Sequence, residues 1–143
     1  MADSIIEHTP ETGATLIPNL VYADAEAALA WLEKAFGFTC HLRVDGNRGG
    51  IAHAQLVNGN NMIMLSRIRN DDFGKHFNEP RQAGMSTQGL YVVVNNVTDA
   101  YEKALAAGAQ IVMPLKEQDY GGESFTVRDC GGHLWSFGDY NPW

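Results

Sequence analysis

The stretch Asp119-Tyr-Gly-Gly-Glu-Ser-Phe-Thr-Val-Arg-Asp-Cys-Gly-Gly-His-Leu-Trp-Ser-Phe-Gly-Asp139 predicts a β-hairpin near the end of the chain. Residues 125–128 alternate in polarity as strand residues do, and residues 134–137 form a second run that is rich in aromatics. The turn between them starts at Asp129, which can accept hydrogen bonds from its own backbone, and glycines that tolerate a positive φ follow it. By itself this pattern predicts no more than an antiparallel hairpin.

The composition is that of one soluble globular domain. The 143 residues are 45% hydrophobic and 19% charged, which suits a single sizeable core. The formal net charge of −7 argues against nonspecific binding of nucleic acid, because such binding needs a basic surface. An acidic balance also favours a cationic ligand, although it more often serves solubility alone.

The cysteines and the N-terminus indicate where the protein resides. Cys40 and Cys130 lie far apart and outside any C-x-x-C pair, so we expect reduced thiols and neither a disulfide framework nor a zinc site. The first residues lack the basic and apolar regions of a signal peptide, and no apolar run approaches the ~20 residues that cross a bilayer. We therefore expect a cytoplasmic protein without a membrane partner.

The order of predicted elements divides the chain into four parts. Residues 1–14 are a polar arm, and residues 15–67 form a unit of strand, helix and three strands. Its helix follows Asp24, a favourable N-cap, and stops at Gly37, which can adopt a left-handed conformation. Residues 68–87 form a linker loop, and residues 88–143 repeat the order of the first unit and end in a short tail.

The linker is a loop of roughly twenty residues, a length that usually indicates a function or a connection between units. It carries Phe73, His76 and Phe77. These aromatic side chains either hold the loop against the core, which the sequence favours slightly, or stand at the rim of a binding site.

An internal repeat relates the two units at a shift of about 72 residues. Asp24 corresponds to Asn96, Gly59 corresponds to Gly131, and residues 62–65 correspond to residues 134–137. The repeat predicts two copies of one βαβββ unit. One helix covers only one face of each sheet, so the other face needs a partner.

These paired units resemble the vicinal oxygen chelate superfamily over residues 15–140, through Leu-Val-Tyr-Ala-Asp-Ala-Glu at 20–26 and Phe-Thr-Val-Arg-Asp-Cys-Gly-Gly-His-Leu-Trp-Ser-Phe at 125–137. Glyoxalase I, extradiol dioxygenases, fosfomycin resistance enzymes and bleomycin resistance proteins belong to that group. The resemblance implies an α+β fold in which two βαβββ units form a curved mixed sheet around a cavity, with helices on the outside. It also implies a homodimer. The chain looks most like the small glyoxalase/bleomycin-resistance-type members.

Enzymes of this superfamily hold a divalent metal with His, Glu or Gln in the first and last strands of each unit. Four positions correspond by resemblance: Ile17, Met64, Gly89 and Ser136. None of them is a His, Glu or Asp. His41, His53 and His133 match no metal-binding spacing, and a lone strand histidine is more often structural than a ligand. We therefore predict no metal and no cofactor.

The resemblance implies that alternate residues of the first and last strands face the cavity. The predicted ligand-binding residues are Ile17, Asn19, Val21, His53, Met62, Met64, Tyr91, Val93, Tyr120, Leu134 and Ser136. Such a lining suits a flat, partly apolar small molecule. The alternative, given equal weight, is that these side chains simply fill the sheet interior.

Three functional hypotheses remain. The first is a metal-independent protein that binds and sequesters a small molecule, as in drug or antibiotic resistance. The second, the alternative to it, is a metal-dependent, glyoxalase- or dioxygenase-like lyase or oxidoreductase with non-standard ligands. A metal-free variant of this second hypothesis would use Tyr91, His53 or Asp119 as acid or base, but the sequence indicates no nucleophile–base pair. The third is an interaction module, which no sequence feature favours.

Overall fold

The computed structural model describes residues 13–143, so almost all of the predicted arm at residues 1–14 lies outside the described residues. Two βαβββ units follow one another, each with a mixed four-stranded sheet, and this confirms the predicted fold class. The elements of the first unit are β1 (Asn19–Tyr22), α1 (Ala25–Phe36), β2 (Thr39–Asp45), β3 (Ile51–Asn58) and β4 (Asn61–Arg67).

The linker contains more structure than the predicted loop. It has a single 3₁₀ turn at Gly74–His76 and a short helix, α2 (Pro80–Ala83). Pro80 occupies the first helical position, where its fixed φ is favourable and its missing N–H costs nothing. Gly84 ends the helix at a φ of 89°. A helix of this length has no periodicity for a sequence pattern to reveal.

The second unit repeats the first. Its elements are β5 (Gly89–Val93), α3 (Val97–Ala106), β6 (Gln110–Glu117), β7 (Glu123–Arg128) and β8 (Leu134–Gly138). The strand orders are β1-β4-β3-β2 and β5-β8-β7-β6. In both sheets the first strand of the unit is parallel to the last, and the other pairs are antiparallel.

The helix caps are equivalent in the two units. Oδ1 of Asp24 accepts a hydrogen bond from the backbone N–H of Ala27 at 3.0 Å, and Oδ1 of Asn96 accepts one from Asp99 at the same distance. These bonds satisfy backbone donors that a helix N-terminus leaves free. The repeat that the sequence indicates is therefore present at the level of individual hydrogen bonds.

The two units share one core on the helix side of the sheets. Helices α1 and α3 pack against each other, and the ring of Phe36 at the end of α1 lies 4.8 Å from the rings of Trp135 and Phe137 on β8. Helix α1 of the first unit therefore covers part of the second sheet. The opposite face of each sheet points away from this core.

Candidate functional site

Two equivalent rows of side chains cross the sheet faces that point away from the helices. The first row follows the pairing across β1, β4, β3 and β2: Asn19, Met64, Gln55 and Leu42. The second follows β5, β8, β7 and β6: Tyr91, Ser136, Thr126 and Met113. Directly paired residues share a face, and alternate neighbours such as Leu20 and Leu65 lie in the core. We call these sets the first row and the second row.

Hydrogen bonds fix the second row. The hydroxyls of Thr126 and Ser136 lie 2.7 Å apart, and the hydroxyl of Tyr91 donates to the carbonyl oxygen of Tyr140 at 2.7 Å. The Tyr91 ring crosses directly above Gly138, where a Cβ atom would lie 2.6 Å from the tyrosine oxygen. Glycine at this position therefore leaves the space that the ring occupies.

Three tyrosines gather at one end of the second row. The rings of Tyr120 and Tyr140 meet edge to face with centroids 5.4 Å apart, beside the Tyr91 hydroxyl. Loss of solvent around Tyr91, and then the neighbouring Tyr120 and Asp139, raise the pKa of its hydroxyl. The group is therefore a neutral hydrogen-bond donor and acceptor at physiological pH, and 43% of Tyr91 remains exposed to a ligand.

The first row is more apolar. Met64 lies between Asn19 and Gln55, and Leu42 at its end is 44% exposed. On the same face, the Nε2 atoms of His53 and Gln55 are 3.3 Å apart. Within the part of the chain that the structure describes, this histidine has a neutral polar neighbour and no hydrogen bond to a carboxylate. The arrangement offers apolar contact area with two polar points and no acid–base pair.

A cleft of about 630 Å³ opens between the start of β1 and the free edge of β5. It brings together Met62, Tyr91 and Val93 from the predicted binding set. The remaining members lie outside it: Ile17, Asn19, Val21, His53, Met64, Tyr120, Leu134 and Ser136. Val21 is buried, so its side chain offers little surface to a ligand. Its carbonyl oxygen lies 2.9 Å from Nε2 of His133.

Sequence reasoning missed several residues that line the cleft or belong to the two rows. Phe36 and Phe38 line the cleft, and the only sequence signal is their position on either side of the helix-ending Gly37. Leu42 and Met113 end the two rows, but they belong to β2 and β6. The predicted binding set drew mainly on the first and last strands of each unit, and so it omitted them. A register shift precedes each of them, after Cys40 in β2 and after Ile111 in β6, so strict alternation would have placed both on the core face.

The residues of the rows do not fit a divalent metal. The positions that correspond to the metal ligands of the superfamily carry aliphatic, thioether, hydroxyl or no side-chain groups, whereas hard and borderline ions need carboxylate or imidazole donors. Among residues 13–143, no three His, Cys, Asp or Glu side chains come close enough to hold an ion.

A buried polar cluster joins the two units behind these faces. Asp129, which is 6% exposed, accepts hydrogen bonds from the Tyr22 hydroxyl at 2.6 Å and from Nε1 of Trp135 and the backbone N–H groups of Gly131 and His133 at 2.9 Å each. Burial, followed by the charge of Asp129, raises the pKa of Tyr22 well above its usual value. Every acceptor is used, so the cluster holds the turn and the two units together.

The fold defines a protein of two βαβββ units, each with one sheet face that points away from the helices. The chain belongs to the Glyoxalase/Bleomycin resistance protein/Dioxygenase superfamily, whose family model matches residues 12–137. An uncharacterized protein of Mycobacterium bovis is 33% identical over 124 residues, which span 86% of this chain and 81% of the relative. An uncharacterized protein of Mycobacterium tuberculosis is also 33% identical, over 86% of this chain and 72% of the relative.

Solved structures share the architecture. TioX from Micromonospora sp. ML1 is 32% identical and superposes with a TM-score of 0.74, covering 90% of this chain and 100% of that one. A bleomycin resistance determinant encoded on the transposon Tn5 is 19% identical with a TM-score of 0.65, over 90% and 98% of the two chains. At that identity the second likeness shows the fold alone.

No helix within residues 13–143 is both long and apolar enough to span a membrane.

Proposed function

We propose that the protein binds and sequesters a flat, partly apolar small molecule on the sheet faces, without a metal. The observation that carries this proposal is the pair of equivalent rows, which present exposed apolar and aromatic side chains with a few fixed polar groups. Ligand sites typically combine such an apolar surface with a small number of placed hydrogen-bonding groups. The name of the Tn5 neighbour, a bleomycin resistance determinant, supports a role in drug resistance.

The tyrosines favour a cationic aromatic ligand. Tyr91, Tyr120 and Tyr140 offer ring faces and edges around one end of the second row, close to the carboxylate of Asp139. A cation gains attraction from such rings, and the net charge of −7 attracts it from a distance. The exposed ring of Tyr120 is well placed to stack on a planar cation.

A second copy of the chain would complete the cavity. Both faces carry large exposed apolar side chains, with Leu42 ending the first row and Met113, 47% exposed, ending the second. Because the rows are equivalent, a two-fold axis can set the first row of one protomer against the second row of its partner, twice over. The proposed binding protein is therefore a homodimer with two cavities.

Sedimentation equilibrium of the wild type and two glutamate variants tests the dimer. Met113→Glu places a charge in the proposed interface and should yield monomers, whereas Met85→Glu alters an exposed methionine of the linker and should leave the dimer intact. A monomeric wild type, or the same result for both variants, would contradict this part of the proposal.

A thermal-shift screen of planar aromatic cations tests the ligand class, with acridine orange as the first probe and acridone as its neutral counterpart. Tyr120→Ala should weaken acridine orange binding roughly three- to tenfold, the value of one cation–π contact. Phe73→Ala removes an aromatic ring of similar exposure in the linker and should have no effect. Equal losses in the two variants, or silence across the whole screen, would refute the proposal.

A further inference from the structure

We propose that a second cleft, away from the sheet-face rows, binds a small organic anion through Arg81 and Arg128. The cleft has a volume of about 490 Å³ and lies between α1, α2, the start of β6 and the β7–β8 turn. It shares no residue with the two rows or with the cleft beside β5. Its size is that of a pocket for a small organic molecule.

Both guanidinium groups are anchored to the wall of this cleft by carbonyl oxygens. Nη1 of Arg81 donates to the carbonyl of Cys130 at 3.2 Å, and Nη1 of Arg128 donates to the carbonyl of Gly132 at 2.9 Å and to Oγ of Ser86 at 3.2 Å. Each guanidinium carries five N–H donors. Among residues 13–143, these contacts use the Nη1 group alone and leave the remaining donors for a ligand.

Neither arginine is neutralised by a carboxylate among the residues that the structure describes. In contrast, Arg43 pairs with Glu26 and Asp45, and Arg69 pairs with Asp71. Arg128 is half-buried, where an uncompensated charge is costly. Arg81 and Arg128 thus bring two positive charges into one cleft, and a bound anion would stabilise them.

Asp129 also lines the cleft but does not occupy the place of that anion. Both of its oxygens already accept hydrogen bonds, from Tyr22 and Trp135 on one side and from two backbone N–H groups on the other. Its charge is spread over these four donors. The free donors of the arginines consequently remain available.

The position of Arg81 is set before a ligand arrives. The backbone N–H of Arg81 donates to the carbonyl of Gly131 at 2.9 Å, which fixes α2 on the β7–β8 turn. Gly132 has a φ of 91°, and a Cβ there would lie 2.8 Å from the Arg81 nitrogen, so helix and turn touch directly. A preset site lowers the ordering cost of binding.

The rest of the lining defines the ligand class. Trp31 and the exposed Met85 provide an apolar wall beside the two planar guanidinium forks. Such forks bind carboxylate or phosphate through two parallel hydrogen bonds. The chemistry shared by the candidates is therefore an aromatic or aliphatic body that carries one carboxylate or phosphate group.

Calorimetric titration with indole-3-acetate, phenyl phosphate and the neutral indole-3-acetamide tests this inference. We expect binding of at least one of the two anions and none of the amide. Arg81→Gln and Arg128→Gln should each weaken anion binding at least tenfold, about 1.4 kcal/mol. Arg48→Gln removes the same charge from the exposed β2–β3 turn and should have no effect.

Arg81 is exposed, so Arg81→Gln folds and carries the test even where Arg128→Gln does not. Equal binding of the acid and the amide, equal losses in Arg48→Gln and Arg81→Gln, or no binding of either anion at millimolar concentration would overturn the inference. Acridine orange binding in Arg81→Gln serves as the separate readout of the sheet-face proposal. The two proposals can therefore fail independently.

Discussion

The hydroxyl of Tyr22 donates a 2.6 Å hydrogen bond to Oδ2 of Asp129, a residue 107 positions further along the chain. Tyr22 ends the first strand of one unit, and Asp129 begins the last turn of the other. The bond is buried and charge-assisted, and it therefore ties the two units together at a defined point.

Tyr22→Phe should lower the free energy of unfolding by about 1.5–3 kcal/mol, because it removes a hydrogen bond to a buried carboxylate. Urea denaturation followed by circular dichroism measures the change. Tyr101→Phe is the matched control, since the Tyr101 hydroxyl makes no hydrogen bond among the described residues. Equal stability of the two variants would show that the bond between the units contributes nothing.

Alkaline pH should destabilise the protein through Tyr22 and Cys130. Burial raises the pKa of the Cys130 thiol from 9.0 to about 12, and it raises the pKa of Tyr22 above its usual 10.0. The folded state therefore holds these protons more tightly than the unfolded state. The stabilisation is fully present below pH 9 and is lost progressively as the pH rises from 9 towards 12.

Urea midpoints measured at several pH values across this window show how steeply the stability falls with pH. We expect a steeper fall for the wild type than for Cys130→Ala or Tyr22→Phe, because each variant lacks one of the shifted groups. Asp129, Glu79 and Arg81 are the charged groups that surround the thiol. Identical slopes for all three proteins would contradict the assignment.

Gly138→Ala should displace the Tyr91 ring. The new Cβ would lie 2.6 Å from the Tyr91 oxygen and 3.0 Å from Cβ of Ser124, closer than atoms pack. Overpacking of this kind costs about 1–3 kcal/mol. A double-mutant cycle with Tyr91→Ala should recover much of that cost, because the smaller side chain leaves room.

Gly89→Ala is the matched control for this cycle. It adds a Cβ in the neighbouring strand at an ordinary 3.7 Å from Cβ of Leu134. We expect a change in the unfolding free energy well below that of Gly138→Ala. Additive effects of Gly138→Ala and Tyr91→Ala would show that the ring does not occupy the space above Gly138.

Phe36→Ala should destabilise the protein by about 3–5 kcal/mol, the usual cost of removing a buried phenyl ring. The ring contacts Trp31 in its own helix and Trp135 and Phe137 in the other unit, so both units lose packing. Phe73→Ala, at 56% exposure, should change the unfolding free energy by well under half as much. Comparable losses in the two variants would show that the core is not shared between units.

Local sequence signals were sufficient to predict the elements of each unit. Asp24 and Gly37 bound the first helix as predicted, and the turn at Asp129 accepts hydrogen bonds from the backbone of Gly131 and His133. Both features depend on residues within a few positions of each other. The repeat also aligned residues 62–65 with residues 134–137, and Met64 and Ser136 lie at equivalent positions on the two sheets.

The contacts between the two units could not be predicted from such local signals. The contact of Phe36 with Trp135 and the bond from Tyr22 to Asp129 join residues about a hundred positions apart, and neither has a local signature. The cleft that contains Arg81 depends on a four-residue helix in a segment predicted as a loop. Tertiary packing, rather than propensity, decides these features.

The central claim is that the sheet faces bind a ligand without a metal. Elemental analysis of the protein as purified, and again after incubation with Ni, Zn, Mn and Fe followed by desalting, tests it most directly. The account predicts that no metal remains at a significant fraction of one ion per chain, in the wild type and in His53→Ala alike. Retention of nearly one ion per chain, reduced by His53→Ala, would contradict it and indicate an oxygen-chelating enzyme with unusual ligands.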